Sequence, residues 1–361
     1  MESTWHGSFS VTLFGGSHTP TCGVTIAGLK AGLPVDLAAL QAFLKRRAPL
    51  GRAGDTARRE TDEPIFQSGI QDGLTDGTPI VVIFQNADAQ PAAYQPFFNQ
   101  PRPSHVDYAA RMRYGDTVDL RGGGHFSARM TAPLCLAGGI ALQQLQLLGV
   151  RIAAHLLFVG NAPDTRLDDL SCDPFSLPDM GNVALPTLDA DAGARMQAKI
   201  LKAQAEGDTL GGVIECVAKG VPAGLGDPIF SGLDSRLASL LFAIPAVRGV
   251  EFGAGYKAAC MRGSENNDVY CLQNGKVRTE TNRHGGILGG MTTGMPIRFT
   301  VAVKPASSIQ KLQTTLNLLT GEQAPLAIAG RHDVCPAVRA VPAVEAVTAL
   351  ALYDLFLEER T

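Results

Sequence analysis

PRPSHVDYAARMRYGDTVDLRGGGHFSAR, residues 101–129, is the stretch on which the reading of this chain turns. It opens as a proline-flanked loop with Arg102, Ser104, His105 and Asp107, and it closes on Arg121, Gly122-Gly123-Gly124, His125, Ser127 and Arg129. An apolar run that reads as a helix, residues 131–150, follows at once. A glycine-rich loop feeding a helix start can present backbone N–H groups to an anion, and flanking arginines add charge and bidentate donors. His105 can give or take a proton near neutral pH. Glycines also simply mark turns, so GGG alone leaves an anion cradle and an ordinary turn both open.

Composition narrows the class. The chain has 361 residues, 45% hydrophobic and 18% charged, with a formal net charge of −3, which is ample for a core in one large domain or two. That balance argues against nucleic acid as the main partner. No apolar run is expected to reach the roughly 18 residues that cross a bilayer. The start, MESTWHGSF, lacks the features of a signal peptide. Seven scattered cysteines with no CxxC read as a reduced, cytoplasmic, metal-free protein.

Outward from the central stretch, SFSVTL (8–13) reads as a strand that runs into Gly15-Gly16-Ser17-His18 and a second strand at 23–26. His18 therefore sits on a glycine-flexed loop, where a side chain can be presented or merely solvated. Asp36 caps a helix over 37–47 that ends in Lys45-Arg46-Arg47. A mixed-charge segment (56–62) and strands at 64–70 and 79–86 follow. Beyond the central helix the pattern predicts a strand at 152–159, a loop over 160–190 and an amphipathic helix at 192–206. A strand after Gly212, a helix that begins at 224–227 and stops at Pro245, and a polar loop at 262–268 come next. The chain ends with a glycine-dense loop (282–294), a strand running to Lys304-Pro-Ala-Ser-Ser308, and a helix from Pro342 to Glu358 with Pro342 at its start. Strands and helices come in mixed order, without regular βαβ alternation or a GxGxxG at the first turn, which argues against a dinucleotide-binding fold. His-bearing loops at 18, 105 and 332 beside a Lys-Pro-x-Ser-Ser loop suit a phosphorylated ligand with proton transfer. The histidine spacing does not suit a metal site. Composition and spacing stop at an enzyme or binding protein for a phosphorylated small molecule.

Ten blocks in order resemble the chorismate synthase family over nearly the full length. They include FGGSHTPTCGV (14–24), TARRETD (56–62), RPSHVDY (102–108), RGGGHFSAR (121–129), GLGDPIFSGLDSRLASLLFAIPAVRGVEFGAG (224–255), KPASSI (304–309) and GRHDVCPAVRAVPAVEA (330–346). The resemblance implies an α+β fold, a β-α-β sandwich built as one domain over 1–361 and assembled as a homotetramer. It implies reduced FMN and a 1,4-anti elimination of phosphate from 5-enolpyruvylshikimate 3-phosphate to give chorismate. It places His105 as the acid toward the phosphate, His18 beside the flavin and Asp333 as a proton relay. Ser17, Arg47, Ser127, Arg129 and Arg339 would bind substrate. The flavin would contact His125, Phe126, Ser127, Pro245, Ala246, Gly289, Lys304, Pro305, Ala306, Ser307, Ser308 and Arg331.

The chain also departs from the family pattern. Gly16 stands where the family has a glutamate, and Ala48 and Ala53 stand where it has arginines that help to hold substrate or a nicotinamide donor. His125-Phe126 replaces Arg-Ser, Met130 a glutamate and Val334 a proline. Arg46, Arg47 or Arg52 are the candidates to cover the lost arginines, and dependence on an external flavin reductant is the expectation. Three readings follow: a divergent chorismate synthase, a paralogue acting on another phosphorylated acid, or a non-catalytic FMN-binding protein. Retention of His18, His105, Asp333 and both serines argues against the last.

Overall fold

The computed structural model describes residues 3–49, 51, 54–88, 97–167, 185–328 and 332–359. Two five-stranded antiparallel sheets enclose a layer of helices. The first sheet runs, edge to edge, Thr4–His6, Ser10–Gly15, Thr21–Ala27, Ile80–Gln85, Ile65–Ser68. The second runs Val247–Phe252, Ile297–Val303, Gly212–Lys219, Arg151–Val159, Ala162–Pro163. In Ile80–Gln85 (IVVIFQ), Ile80, Val82 and Phe84 are buried and alternate with more exposed neighbours, the period-two signature of a sheet with one face on the core.

Among the described residues seven helices complete the framework: α1 (Leu37–Arg47), α2 (Asp107–Tyr114), α3 (Thr131–Leu147), α4 (Ala190–Ala205), α5 (Leu233–Phe242), α6 (Gly263–Asn266) and α7 (Pro336–Glu358). Asp36 caps α1 as expected, accepting from the N–H groups of Ala38 and Ala39, and the basic triplet closes it. Helices α3 and α7 pack on each other in the middle layer, α3 toward the first sheet and α7 toward the second. Gly138 makes the approach possible, because a Cβ there would lie 2.4 Å from the Ala346 Cα. One continuous apolar cluster joins both sheets to α1, α3, α5 and α7. This arrangement is the expected β-α-β sandwich.

Several expectations need correction. Helix α7 begins at Pro336, six residues early, and Pro342 lies buried in its interior. Its burial in the helix layer holds the helix through a residue that cannot donate to the turn before it. With 23 residues and a mean hydropathy of 1.6 over its most apolar window, α7 is long and apolar enough to cross a membrane, contrary to expectation, but 89% of that window is buried inside the protein. The strand at 64–70 breaks at Gly69, whose φ of +88° leaves the extended region, and resumes as Ile70–Gln71. The glycines at 224–226 do not open a helix; a single turn, Ile229–Ser231, precedes α5. The polar loop at 262–268 contains α6, and the 160–190 connection begins with the strand Ala162–Pro163. Residues 168–184 of that connection lie outside the described residues.

Candidate active site

Asp107, the first residue of α2, is 2% exposed and organises the loop before it. It accepts from Arg102 three times: Nε at 2.8 Å, Nη2 at 2.8 Å and the backbone N–H at 3.0 Å. His105 Nδ1 lies 2.7 Å from Asp107 Oδ1. Burial alone would raise the Asp107 carboxyl, but the hydrogen bonds from Arg102 and His105 outweigh it and hold the group well below the usual carboxylate range. The carboxylate fixes the imidazole by Nδ1 and leaves Nε2 to act. Burial depresses the His105 pKa, and Arg102 adds to this against the pull of Asp107.

Opposite His105 runs the glycine turn. Gly122, Gly123 and Gly124 all take left-handed backbone, with φ of +59°, +87° and +53°. A Cβ on Gly122 would stand 2.2 Å from the His18 ring, and one on Gly124 would stand 1.9 Å from the Asp119 carbonyl oxygen. Only glycine fits three such residues in a row. The position of a Gly123 Cβ lies 3.7 Å from His105 Nε2, so the turn passes between the two histidines. Beyond it, Ser127 accepts from the Arg129 N–H and caps the short turn that leads into α3.

These elements line one cleft with two arms. The polar arm holds Ser17, His18, Arg58, Glu60, Arg129 and Thr56. The second arm has an apolar wall of Val106, Phe126, Ile244, Pro245 and Pro336, and ends at Lys304 and Ser307. Arg47, Ser127, His332, Asp333 and Arg339 face both. In the polar arm four arginines surround three carboxylates. Asp62, buried and at φ +51°, takes Arg47 Nη1 at 2.5 Å and also binds Arg129 Nη1. Burial would raise the Asp62 carboxyl, yet the two guanidiniums hold it lowered. Asp333 accepts from Arg339 Nη1 at 2.8 Å and from the Thr56 N–H at 2.9 Å, while Arg339 Nε donates to the Arg47 carbonyl. Arg129 also donates to Asn86 and to the Gln85 carbonyl. The expected substrate arginines therefore reach the cleft already engaged with protein acceptors, and they act as much through their field as through free donors.

In the second arm, Lys304 Nζ donates to the Ser104 carbonyl at 2.6 Å and lies 2.9 Å from Ser307 Oγ. Burial lowers the lysine, with Arg248 adding to it. Ser308 Oγ accepts from Arg102 Nη1 at 3.4 Å. Ser104 and Ala246 take φ of +56° and +72°, strained backbone for residues with a Cβ, and both line this arm. A largely apolar arm ending in a lysine and hydroxyls fits a ring system with a phosphate tail.

Most site residues expected from the sequence converge here: Ser17, His18, Arg47, His105, Phe126, Ser127, Arg129, Pro245, Ala246, Lys304 to Ser308, Asp333 and Arg339. Others do not. His125 turns its ring away, with Nδ1 2.7 Å from the Gly15 carbonyl and Nε2 2.7 Å from Ser3 Oγ. It lines a separate cavity, because the Gly124 kink reverses the direction of the chain. Gly289 sits exposed at the tip of the hairpin Ile287–Leu288/Met291–Thr292 and does not line the cleft. Arg46 forks onto Glu345 of α7 at 2.7 and 2.8 Å and cannot replace a cleft arginine. Arg331 and Arg52 lie outside the described residues. Sequence reasoning passed over Arg58, which grips Ser17 through Oγ (2.8 Å) and the carbonyl (2.9 Å). It also passed over Asp62 and did not show that Arg102 and Asp107, both in the central loop, pair with each other. His332 faces both arms, and its Nε2 is buried with no hydrogen-bond partner among the described residues. Burial, with Arg102 adding to it, pushes its pKa down to about 4. Cys335 is a buried small residue, its thiol pushed up to about 12 by burial.

Fold and cleft together define an acid–base enzyme for a small polyanion, with a slot beside it for a flat group. Residues 9–357 match the family model for chorismate synthase. A chorismate synthase of Lancefieldella parvula is 46% identical, over 98% of this chain and 96% of that protein. One of Thermococcus gammatolerans is 43% identical, over 97% and 96%. A crystal structure of chorismate synthase superposes with a TM-score of 0.76 at 26% identity, covering 97% of this chain and 92% of that one. The chain belongs to the chorismate synthase family. Its reaction is accordingly the carbon–oxygen lyase step of the shikimate pathway, removal of phosphate from 5-enolpyruvylshikimate 3-phosphate to give chorismate.

Proposed function

We propose that the residues of this one chain, acting as a single domain, divide the work as follows. His105 Nε2 protonates the departing phosphate. Phosphate leaves poorly until its charge is neutralised, and an imidazole fixed by a carboxylate at Nδ1 is a suitable acid. Burial keeps His105 below its ordinary value, and an arriving phosphate dianion favours the imidazolium at the moment it is needed. Arg47, Arg129 and Arg339 supply the positive field for the remaining carboxylates, and Ser17 and Ser127 donate hydroxyl hydrogen bonds. The donor set of the apolar arm fits FMN: Lys304 and Ser307 for the phosphate, with Phe126, Ser127, Pro245, Ala246, Pro305, Ala306 and Ser308 along its length. Held by those residues, reduced FMN would supply electron density to the elimination and a basic site for the ring proton. His18, its pKa lowered by burial and by Arg58 and Arg121, stands in the polar arm beside Gly122, which lines both arms. Asp333 is the carboxylate placed to carry a proton away.

The observation that carries this reading is the fixed His105–Asp107 pair facing a cleft whose other arm is lined by arginines. Divergence at positions 16, 48 and 125 is met locally. Thr19 Oγ1 accepts from the Gly16 N–H at 2.8 Å, Ala48 is buried at the end of α1, and His125 links Ser3 to the Gly15 carbonyl. Arg46 is committed to Glu345 and does not stand in for a lost arginine, which supports dependence of the flavin on an external reductant. The scattered free cysteines suit a reducing, cytoplasmic setting. A homotetramer is the assembly we propose. The test is an anaerobic assay with FMN and 5-enolpyruvylshikimate 3-phosphate. Chorismate and phosphate should form with dithionite and not with NADPH alone. Product formed equally well with NADPH alone would overturn the dependence on an external reductant.

A further inference from the structure

A second cavity stands behind the wall of the cleft. Its walls come from the first sheet (Trp5, Val11, Leu13), from Phe126, Met130 and Leu134 around the start of α3, and from α5 and α7. It shares Phe126, Thr131 and Pro245 with the cleft, yet its chemistry is the opposite. Among the described residues that line it no Asp, Glu, Lys or Arg occurs, whereas each arm of the cleft carries several. Its polar side-chain groups are hydroxyls, one imidazole and the Trp5 indole N–H. His125 is already tied on both nitrogens to Ser3 and the Gly15 carbonyl, and the Thr4 hydroxyl lies 2.9 Å from that of Thr12. The mouth is set by Ser239 and Ala243, both exposed on α5 and just past its end.

We infer that this cavity is a binding site, separate from the cleft, for a small uncharged aromatic molecule bearing one hydrogen-bonding group. The absence of ionised side chains excludes charged ligands, because an ion here would lose its hydration with nothing to replace it. Trp5 and Phe126 offer ring faces and edges to an aromatic guest. Hydroxyls of Ser3 and Ser239 offer a polar contact at the rim, and apolar burial drives the rest.

Trp5 is the only tryptophan in the chain, so the site carries its own reporter. The probe is 4-nitrobenzyl alcohol, whose nitroarene quenches indole emission, with 4-nitrobenzoate as the charged control. In the full-length protein the alcohol should quench Trp5 along a saturating curve, while the benzoate should quench only linearly, as by collision. Ala243→Phe fills the mouth at an exposed position and should raise the half-saturation concentration at least ten-fold, with an unchanged thermal midpoint. Ser239→Leu, which removes a rim hydroxyl, should raise it about three-fold. Linear quenching by both probes, equal saturation by both, or saturation unaltered in Ala243→Phe would each overturn the inference.

Discussion

Asp107 is the residue on which the acid depends, through two partners at once. Asp107→Asn keeps the shape but removes the charge that the Arg102 guanidinium and the His105 ring both face, at 1% and 22% side-chain exposure respectively. Breaking a buried pair costs about 3–5 kcal/mol, so urea unfolding should register a loss of that order, with turnover down by about 100-fold or more. His105→Ala should abolish turnover with FMN binding near normal. Wild-type turnover in that variant would remove His105 as the acid. His332 offers a pH signature. Its folded value of about 4 lies below the ordinary 6.5, so folding favours the neutral ring. That contribution is complete above pH 6.5 and is lost as pH falls through about 4, amounting to about 3 kcal/mol. His332→Gln should therefore lose about 3 kcal/mol less than wild type between pH 7 and pH 4. His155 is raised by Asp164 and Glu215 against its burial, so it shifts the opposite way and is common to both proteins. At this scale the sequence was legible where a residue type announces its chemistry, as at His105 or Lys304-Pro-Ala-Ser-Ser308. It was not legible where the partner decides the role. Asp62 and Arg58 lie in a mixed-charge run whose pairing only the fold settles, and the direction of the His125 ring depends on the Gly124 kink.

Helices show the same division. Helix α1 was legible end to end because its cap and its basic last turn are local signals. The start of α7 was misplaced because two prolines compete for the first-turn position, and local sequence does not say which one the helix layer buries. Tertiary contact likewise decides what Gly138 and Gly139 mean, although they are adjacent in α3. A Cβ on Gly138 meets the Ala346 backbone at 2.4 Å and its carbonyl oxygen at 2.5 Å. A Cβ on Gly139 meets the end of the Leu40 side chain at 2.5 Å, which can turn aside. Overpacking against backbone falls at the upper end of the usual range, about 3 kcal/mol, and against a movable side chain at the lower end, about 1 kcal/mol. Gly138→Ala should therefore lower the urea midpoint far more than Gly139→Ala. Equal effects would mean that α3 and α7 can separate without cost.

For the whole molecule, the strand order in each sheet was out of reach of local reading, because pairing such as Gly212–Lys219 between Arg151–Val159 and Ile297–Val303 joins segments far apart in the chain. The proposed tetramer makes a demand at this scale, since surface that meets another copy should be apolar where a lone chain has no use for it. The hairpin Tyr270–Gln273/Lys276–Thr279 meets that demand. Leu272 and Val277 face each other across its register, at 74% and 65% exposure, and Tyr270 projects from the same face of its strand at 64%. A two-stranded hairpin is marginal by itself in water, so an apolar face on one gains most from being covered. Leu272→Lys places a charge in the middle of that face and leaves the core untouched. In sedimentation or light scattering it should convert the tetramer to smaller species while circular dichroism stays native. If the variant keeps the tetramer mass, this hairpin is not part of the assembly interface.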